Sequence, residues 1–229
     1  MDLAQALEAA LRDGLNRPSQ DRRRWDLLAD YCIARLEARG LKGLLGGSRG
    51  EVGVKGFGRV KSWDVALLAP LLPRGPRERG LVQKPGEKPR LLLSLKSVLG
   101  NPQGSLPNRI DELIGEVSSV QILYPEVVIG YVVVLDYGAS GKSSGGVAEK
   151  PSGDSWQESY RRFKEHLVRL SVRRPPLWVQ GLIEAHWVLE VDTRTPQLFL
   201  DREATLRAGE EFFDALVDSL RGREPLLFY

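Results

Sequence analysis

Apolar residues recur at helical spacing in five stretches of the chain. Leu3, Ala6, Leu7, Ala10 and Leu11 share one face of a helix over 2–13, which Gly14 ends. Trp25, Leu28, Ala29, Cys32, Ile33 and Leu36 form the stripe of a second over 20–39, with Ser19 as N-cap and Gly40 beyond its C-terminus. Ile110, Leu113, Ile114 and Val117 define a third over 108–120, preceded by Pro107. Trp156, Tyr160, Phe163, Leu167 and Leu170 define a fourth over 155–172, stopped by Pro175 and Pro176. A last helix over 204–220 carries Leu206, Phe212, Phe213, Leu216, Val217 and Leu220.

Between them the pattern changes to that of strands. Residues 61–68 (KSWDVALL) and 90–96 (RLLLSLK) each form one. Side chains at i and i+2 share a face, so Leu92, Ser94 and Lys96 lie together and Leu91, Leu93 and Leu95 lie opposite. A buried ammonium needs a partner, and Asp64 on the neighbouring strand is the expected one. Residues 127–135 are almost continuously apolar, as in a strand covered on both faces of a mixed sheet. Residues 178–199 contain one or two strands with a turn near 192–196.

Three segments break this regularity. Residues 40–58 hold eight glycines interleaved with Lys42, Arg49 and Lys55. They read either as a strand pair with its turn or as an arm touching a nucleic-acid backbone. Residues 70–89 form a long connection rich in proline and in Arg or Lys, suited either to DNA or simply to solvent. Residues 138–153 are rich in Gly and Ser and are expected to be mobile. They include Gly141-Lys142-Ser143 after a strand, but Asp136 stands where a Walker A loop needs glycine, and the following Gly and Pro residues deny it a helix. No NTP site is expected.

The 229 residues, 42% hydrophobic and 28% charged, suit one domain with a sizeable core. We divide it into a core over about 20–137, the loop 138–154 and a helix–strand–helix elaboration over 155–229. A net charge of +3 permits a polyanion without requiring one, so the position of the charges matters more than their sum. Arg22, Arg23 and Arg24 sit at the start of the second helix, where they meet either solvent or a phosphate. Arg161, Arg162, Lys164 and Arg169 surround the aromatic stripe of the fourth helix and, with Lys61, are the candidate DNA contacts. Cys32 alone excludes an intrachain disulfide and a thiolate metal cage. With an N-terminus unlike a signal peptide and no run of apolar residues long enough to span a membrane, it implies a cytoplasmic protein. Few Asn, one Met and abundant Arg, Leu and Pro fit a hot or a GC-rich source. The two histidines, His166 and His186, have no spaced acid to make a zinc or His-based site.

Asp64, followed by Ser94-Leu95-Lys96 and then by Arg109-Ile110-Asp111-Glu112, resembles the PD-(D/E)xK nuclease superfamily, and type II restriction endonucleases in particular. Asp64 matches the aspartate of that motif and Lys96 its lysine. Ser94 replaces the usual acid and Trp63 the proline. The pattern is similar to the S-x-K variant, in which the missing carboxylate moves to the next helix. The resemblance covers roughly residues 51–135 and implies an α/β (α+β) fold, a central mixed sheet flanked by helices with an αβββαβ core.

It also implies hydrolysis of phosphodiester bonds in double-stranded DNA by a Mg2+-dependent homodimer, with Mn2+ able to substitute. Asp64 and Asp111 would be the carboxylate ligands, with Glu112 the alternative to Asp111 and the Leu95 carbonyl completing the set. Lys96 would polarise the attacking water and Ser94 would donate a hydrogen bond. Helix geometry, with Asp111 flanking the predicted apolar stripe, favours Asp111 over Glu112, and Glu51 is an outlying acid. Two other readings remain: a catalytically degenerate DNA-binding or defence-complex subunit, and a repair nuclease of the same fold. Against all three stands a plain structural ion pair between Asp64 and Lys96.

Overall fold

The computed structural model describes residues 2–18, 20–41, 52–69, 83–99, 102–138, 153–171, 173 and 181–228. Among the described residues there are five α-helices, a four-stranded mixed sheet and a two-stranded antiparallel one. In chain order they are α1 (Leu3–Asn16), α2 (Asp26–Glu37), β1 (Val52–Lys55), β2 (Val60–Trp63), β3 (Val65–Ala69), β4 (Lys88–Val98), α3 (Pro102–Gln121), β5 (Val128–Asp136), α4 (Gly153–Leu170), β6 (Ala185–Val191) and α5 (Arg202–Arg223). A 3-10 turn, Pro225–Phe228, follows. The mixed α/β architecture expected from the sequence is present. Ser19, Glu51, most of the proline-rich connection and residues 139–152 lie outside the described residues, as do Lys42, Arg49 and Arg174.

The main sheet has strand order β3-β4-β5-β6; β3 is antiparallel to β4, while β5 and β6 run parallel to it. Alternation sends Leu91, Leu93, Leu95, Val128, Val132 and Val134 into a core shared with α1, α2 and α5. Leu92, Val98, Ile129, Tyr131, Val133 and Leu135 enter a second core with α3 and α4. The uninterrupted apolar run of β5 therefore follows from coverage on both faces. Gly130 is required by close packing there. A Cβ at this position would lie 2.6 Å from Leu93 Cδ2 and 2.9 Å from Phe212 Cζ.

Three predicted elements differ in ways that shape the site. α2 begins at Asp26 rather than near residue 20, so Arg22, Arg23 and Arg24 lie in the turn before the helix and not in its first turn. The single strand expected over 61–68 is split at Asp64. Its first half pairs with β1 through the turn after Lys55, and its second half joins the main sheet as β3. The described end of the glycine-rich stretch thus supplies β1 and the turn into β2, which Gly56 closes by donating to the Arg59 carbonyl at 2.9 Å. Helix α3 begins a turn before Pro107 and runs through it. Near the N-terminus of a helix the missing N–H removes only one intrahelical bond.

Candidate functional site

The split at Asp64 creates the site. β3 begins at Val65, opposite Leu93, while β4 continues to Val98. The β4 edge from Leu95 onward therefore projects past its neighbour. Asp64 N–H donates to the Leu93 carbonyl at 3.1 Å, and Leu95 N–H donates to Asp64 Oδ2 at 2.7 Å. The carboxylate thus takes the place that the next strand residue would have filled. The N–H and C=O of one residue face the same edge of an antiparallel ladder, so the Leu95 carbonyl is directed to this side as well.

A cleft of about 330 Å³ opens at this edge. Its lining includes Asp64, Leu95, Lys96 and Ser97 from the sheet and Arg109 from α3. Arg22, Arg24 and Asp26 enter it from the turn before α2 and the first residue of that helix. Asp64 and Lys96, paired in the sequence motif, line one concavity.

They do not pair with each other. Asp64 is turned to the Leu95 amide, whereas Lys96 follows the Leu92 and Ser94 face toward α3. There Lys96 Nζ lies 3.2 Å from Glu112 Oε1 and 3.6 Å from Glu116 Oε2. Glu112 also accepts from Arg109 Nη1 at 2.5 Å, and Glu116 lies 3.5 Å from Lys61 Nζ. Burial pushes the Glu112 carboxyl up, but Lys96 and Arg109 outweigh it and hold the group below its ordinary range. Lys96 needed a carboxylate partner, as expected, but the partners come from α3 rather than from Asp64. Ser94 is buried on the same face, opposite Tyr131 in the β4–β5 register. The Tyr131 hydroxyl is buried without a hydrogen-bond partner among the described residues, and burial pushes its pKa above the usual range.

Asp111 is not part of this arrangement. It is exposed, and it lines instead the groove between α3 and α4 and the surface beside the β1–β2 turn. The cause is the true face of α3. Leu106, Leu113, Val117 and Val120 are buried, whereas Ile114 is 38% exposed. Removing Ile114 from the stripe and adding Leu106 and Val120 rotates the inward direction by roughly 30°, at about 100° per residue. That turn carries Asp111 away and brings Glu112 and Glu116 to Lys96. Glu112 therefore replaces Asp111 as the helix acid beside the lysine.

The cations assigned to DNA contact are mostly occupied. Arg161 pairs with Glu158 and Glu165, Arg162 with Glu158, and Lys164 with Glu190. Lys61 is largely buried against Glu116. Among the described residues Arg169 has no ion pair, and it does not line the cleft. The basic face of α4 is thus largely self-neutralised. Among the described residues the cations at the cleft are Arg22, Arg24, Lys96 and Arg109; the run at 22–24 was legible in the sequence, whereas Arg109 stood there only as part of the motif stretch that pointed to Asp111.

Among the described residues no group of three or more His, Cys, Asp or Glu side chains is arranged to hold a metal ion. His186 Nδ1 lies 2.6 Å from Ser171 Oγ, but that hydroxyl donates to the Leu167 carbonyl, so the ring donates to the serine and does not act as its base. No family model, no curated protein and no solved structure matches this chain. No helix among the described residues is long and apolar enough to cross a membrane.

Proposed function

We propose that the cleft hydrolyses phosphodiester bonds of double-stranded DNA with the help of a divalent ion of the Mg2+ class. One observation carries this reading: Asp64, the projecting edge of β4 at Leu95 and Lys96 line a single polar cleft that also presents arginines. The donor set fits a hard cation that keeps most of its water. Mg2+ asks for only one or two carboxylates and otherwise oxygen ligands, and Asp64 with the Leu95 carbonyl supplies hard oxygens side by side. Softer ions that want several His or Cys ligands find none among the described residues that line the cleft.

Asp64 and Leu95 would hold the ion, which would polarise the phosphoryl group and lower the pKa of a bound water. Lys96, fixed by Glu112 and Glu116, would place its positive charge where negative charge develops on the phosphate. Arg109, tied to Glu112, would restrict the motion of that acid. Ser94 lies beneath Lys96 and cannot replace the charge of an acid, so Glu112 is the only carboxylate of the S-x-K pattern left to assist. A homodimer would present two such clefts to the two strands of a palindromic site.

A second reading has its own support. Glu112 is already neutralised by Lys96 and Arg109, as in a structural network on a degenerate nuclease fold that only binds DNA. Incubation with supercoiled plasmid in Mg2+ and in EDTA separates the two. The catalytic reading expects nicked or linear product in Mg2+ alone, lost in Lys96→Ala. Absence of metal-dependent cutting across salt and temperature would leave DNA binding only.

A further inference from the structure

We infer that the turn over residues 22–25, anchored by Arg24, seats a second backbone phosphate of the bound strand beside the one at Asp64 and Lys96. This rests on the DNA reading of the cleft and adds to it the residues that position the strand.

The turn is built to hold its arginine in place. Arg24 Nε donates to the Gly14 carbonyl at 2.8 Å, and its guanidinium lies 5.6 Å from the Trp25 ring centroid. Gly14 admits this approach because a Cβ there would lie 2.3 Å from Trp25 Cζ3 and 2.7 Å from the Arg24 carbonyl. The contact with α1 therefore fixes both the turn and the direction of the side chain.

Arg24 is half-buried in the cleft wall, and burial lowers its pKa with no carboxylate among the described residues compensating. Three other arginines of the region have acids, while Arg22 is exposed to solvent. Arg17 pairs with Asp13 and Asp21, Arg23 lies 3.8 Å from Asp21, and Arg109 pairs with Glu112. A partly desolvated guanidinium beside a cleft is matched by an anion from outside. A phosphate oxygen pair suits its planar fork. Arg22 is exposed on the same wall, and Gln20 adds an amide. Arg23, in the same turn, does not line the cleft and serves as an internal control.

The test is fluorescence anisotropy of a labelled DNA duplex in EDTA, titrated over a range of salt, with the full-length protein. Arg24→Gln should weaken binding about tenfold and reduce the slope of log K against log salt by about one. Arg23→Gln should leave both unchanged. Arg22→Gln changes an exposed side chain and is expected to keep wild-type stability, so it gives the same readout if Arg24→Gln lowers the melting temperature. An unchanged slope in Arg24→Gln and Arg22→Gln, or an equal change in Arg23→Gln, overturns the seat. Arg24-dependent binding of inorganic phosphate without any duplex binding overturns the polynucleotide assignment. Loss of cutting in Lys96→Ala with its salt slope intact separates the catalytic centre from this seat. A duplex bound through Arg24 but never cut leaves the seat standing and removes the nuclease reading.

Discussion

The ion-pair network on α3 makes a quantitative claim about Lys96. At an effective dielectric near 20, unit charges at the Lys96–Glu112 and Lys96–Glu116 separations attract by roughly 5 kcal/mol each. Most of that is cancelled by desolvation. The Lys96 side chain is 19% exposed and that of Glu112 34%, which places the pair between surface bridges worth under about 1 kcal/mol and buried ones whose rupture costs about 3–5 kcal/mol. Each glutamate also keeps one other cation, Arg109 or Lys61. We therefore expect Lys96→Met to cost about 2 kcal/mol, a fall of roughly 4–8 °C in Tm for a chain of this size. A double-mutant cycle of Lys96→Met with Glu112→Gln, followed by urea unfolding, should give a coupling near 1 kcal/mol. A coupling indistinguishable from zero, with both single variants as stable as the wild type, would refute the network and with it the placement of Glu112 beside the lysine.

Three further outcomes follow from the same geometry. Asp64→Asn keeps an oxygen to accept the Leu95 amide and should fold with near wild-type stability, while Asp64→Ala should lose about 1–2 kcal/mol by urea titration; neither should cut DNA, and a cutting Asp64→Asn would remove Asp64 from the chemistry. Because Glu112 is held below its ordinary 4.5, its stabilisation is present above that pH and is lost as pH falls through the folded value. The stability gap between wild type and Glu112→Gln should accordingly shrink in acid, whereas Asp111→Asn should change neither stability nor cleavage. Glu184 is fully buried between Arg173 and Arg223, at 3.4 and 2.7 Å, and accepts the Ile129 amide. Glu184→Gln should cost about 3–5 kcal/mol by chemical denaturation while leaving the salt slope of DNA binding unchanged; a loss below 1 kcal/mol would show that the arginines need no acid there.

The sequence by itself determined most of the elements and, outside α3, which faces they bury. Helical spacing found α1, α4 and α5 to within a few residues, while α2 starts at Asp26, later than its apolar stripe and Ser19 suggested. Two-residue alternation correctly put Leu91, Leu93 and Leu95 on one side of β4 and Ser94 with Lys96 on the other, because side-chain direction is a local property of the backbone. The need of Lys96 for an acid was also legible, since desolvation penalises any ammonium near a core. Which acid answered it was not. Asp64 and Lys96 are close in the motif, but the choice between Asp64, Asp111 and Glu112 depended on the rotation of α3, set by Leu106 and Val120 packing where Ile114 does not. The strand break at Asp64 was likewise hidden, because a residue that leaves one sheet for another keeps its extended backbone and its apolar neighbours. The occupied state of Arg161, Arg162 and Lys164 and the uncompensated state of Arg24 were decided only in three dimensions. Charge balance depends on distances across the fold that no single stretch of sequence contains.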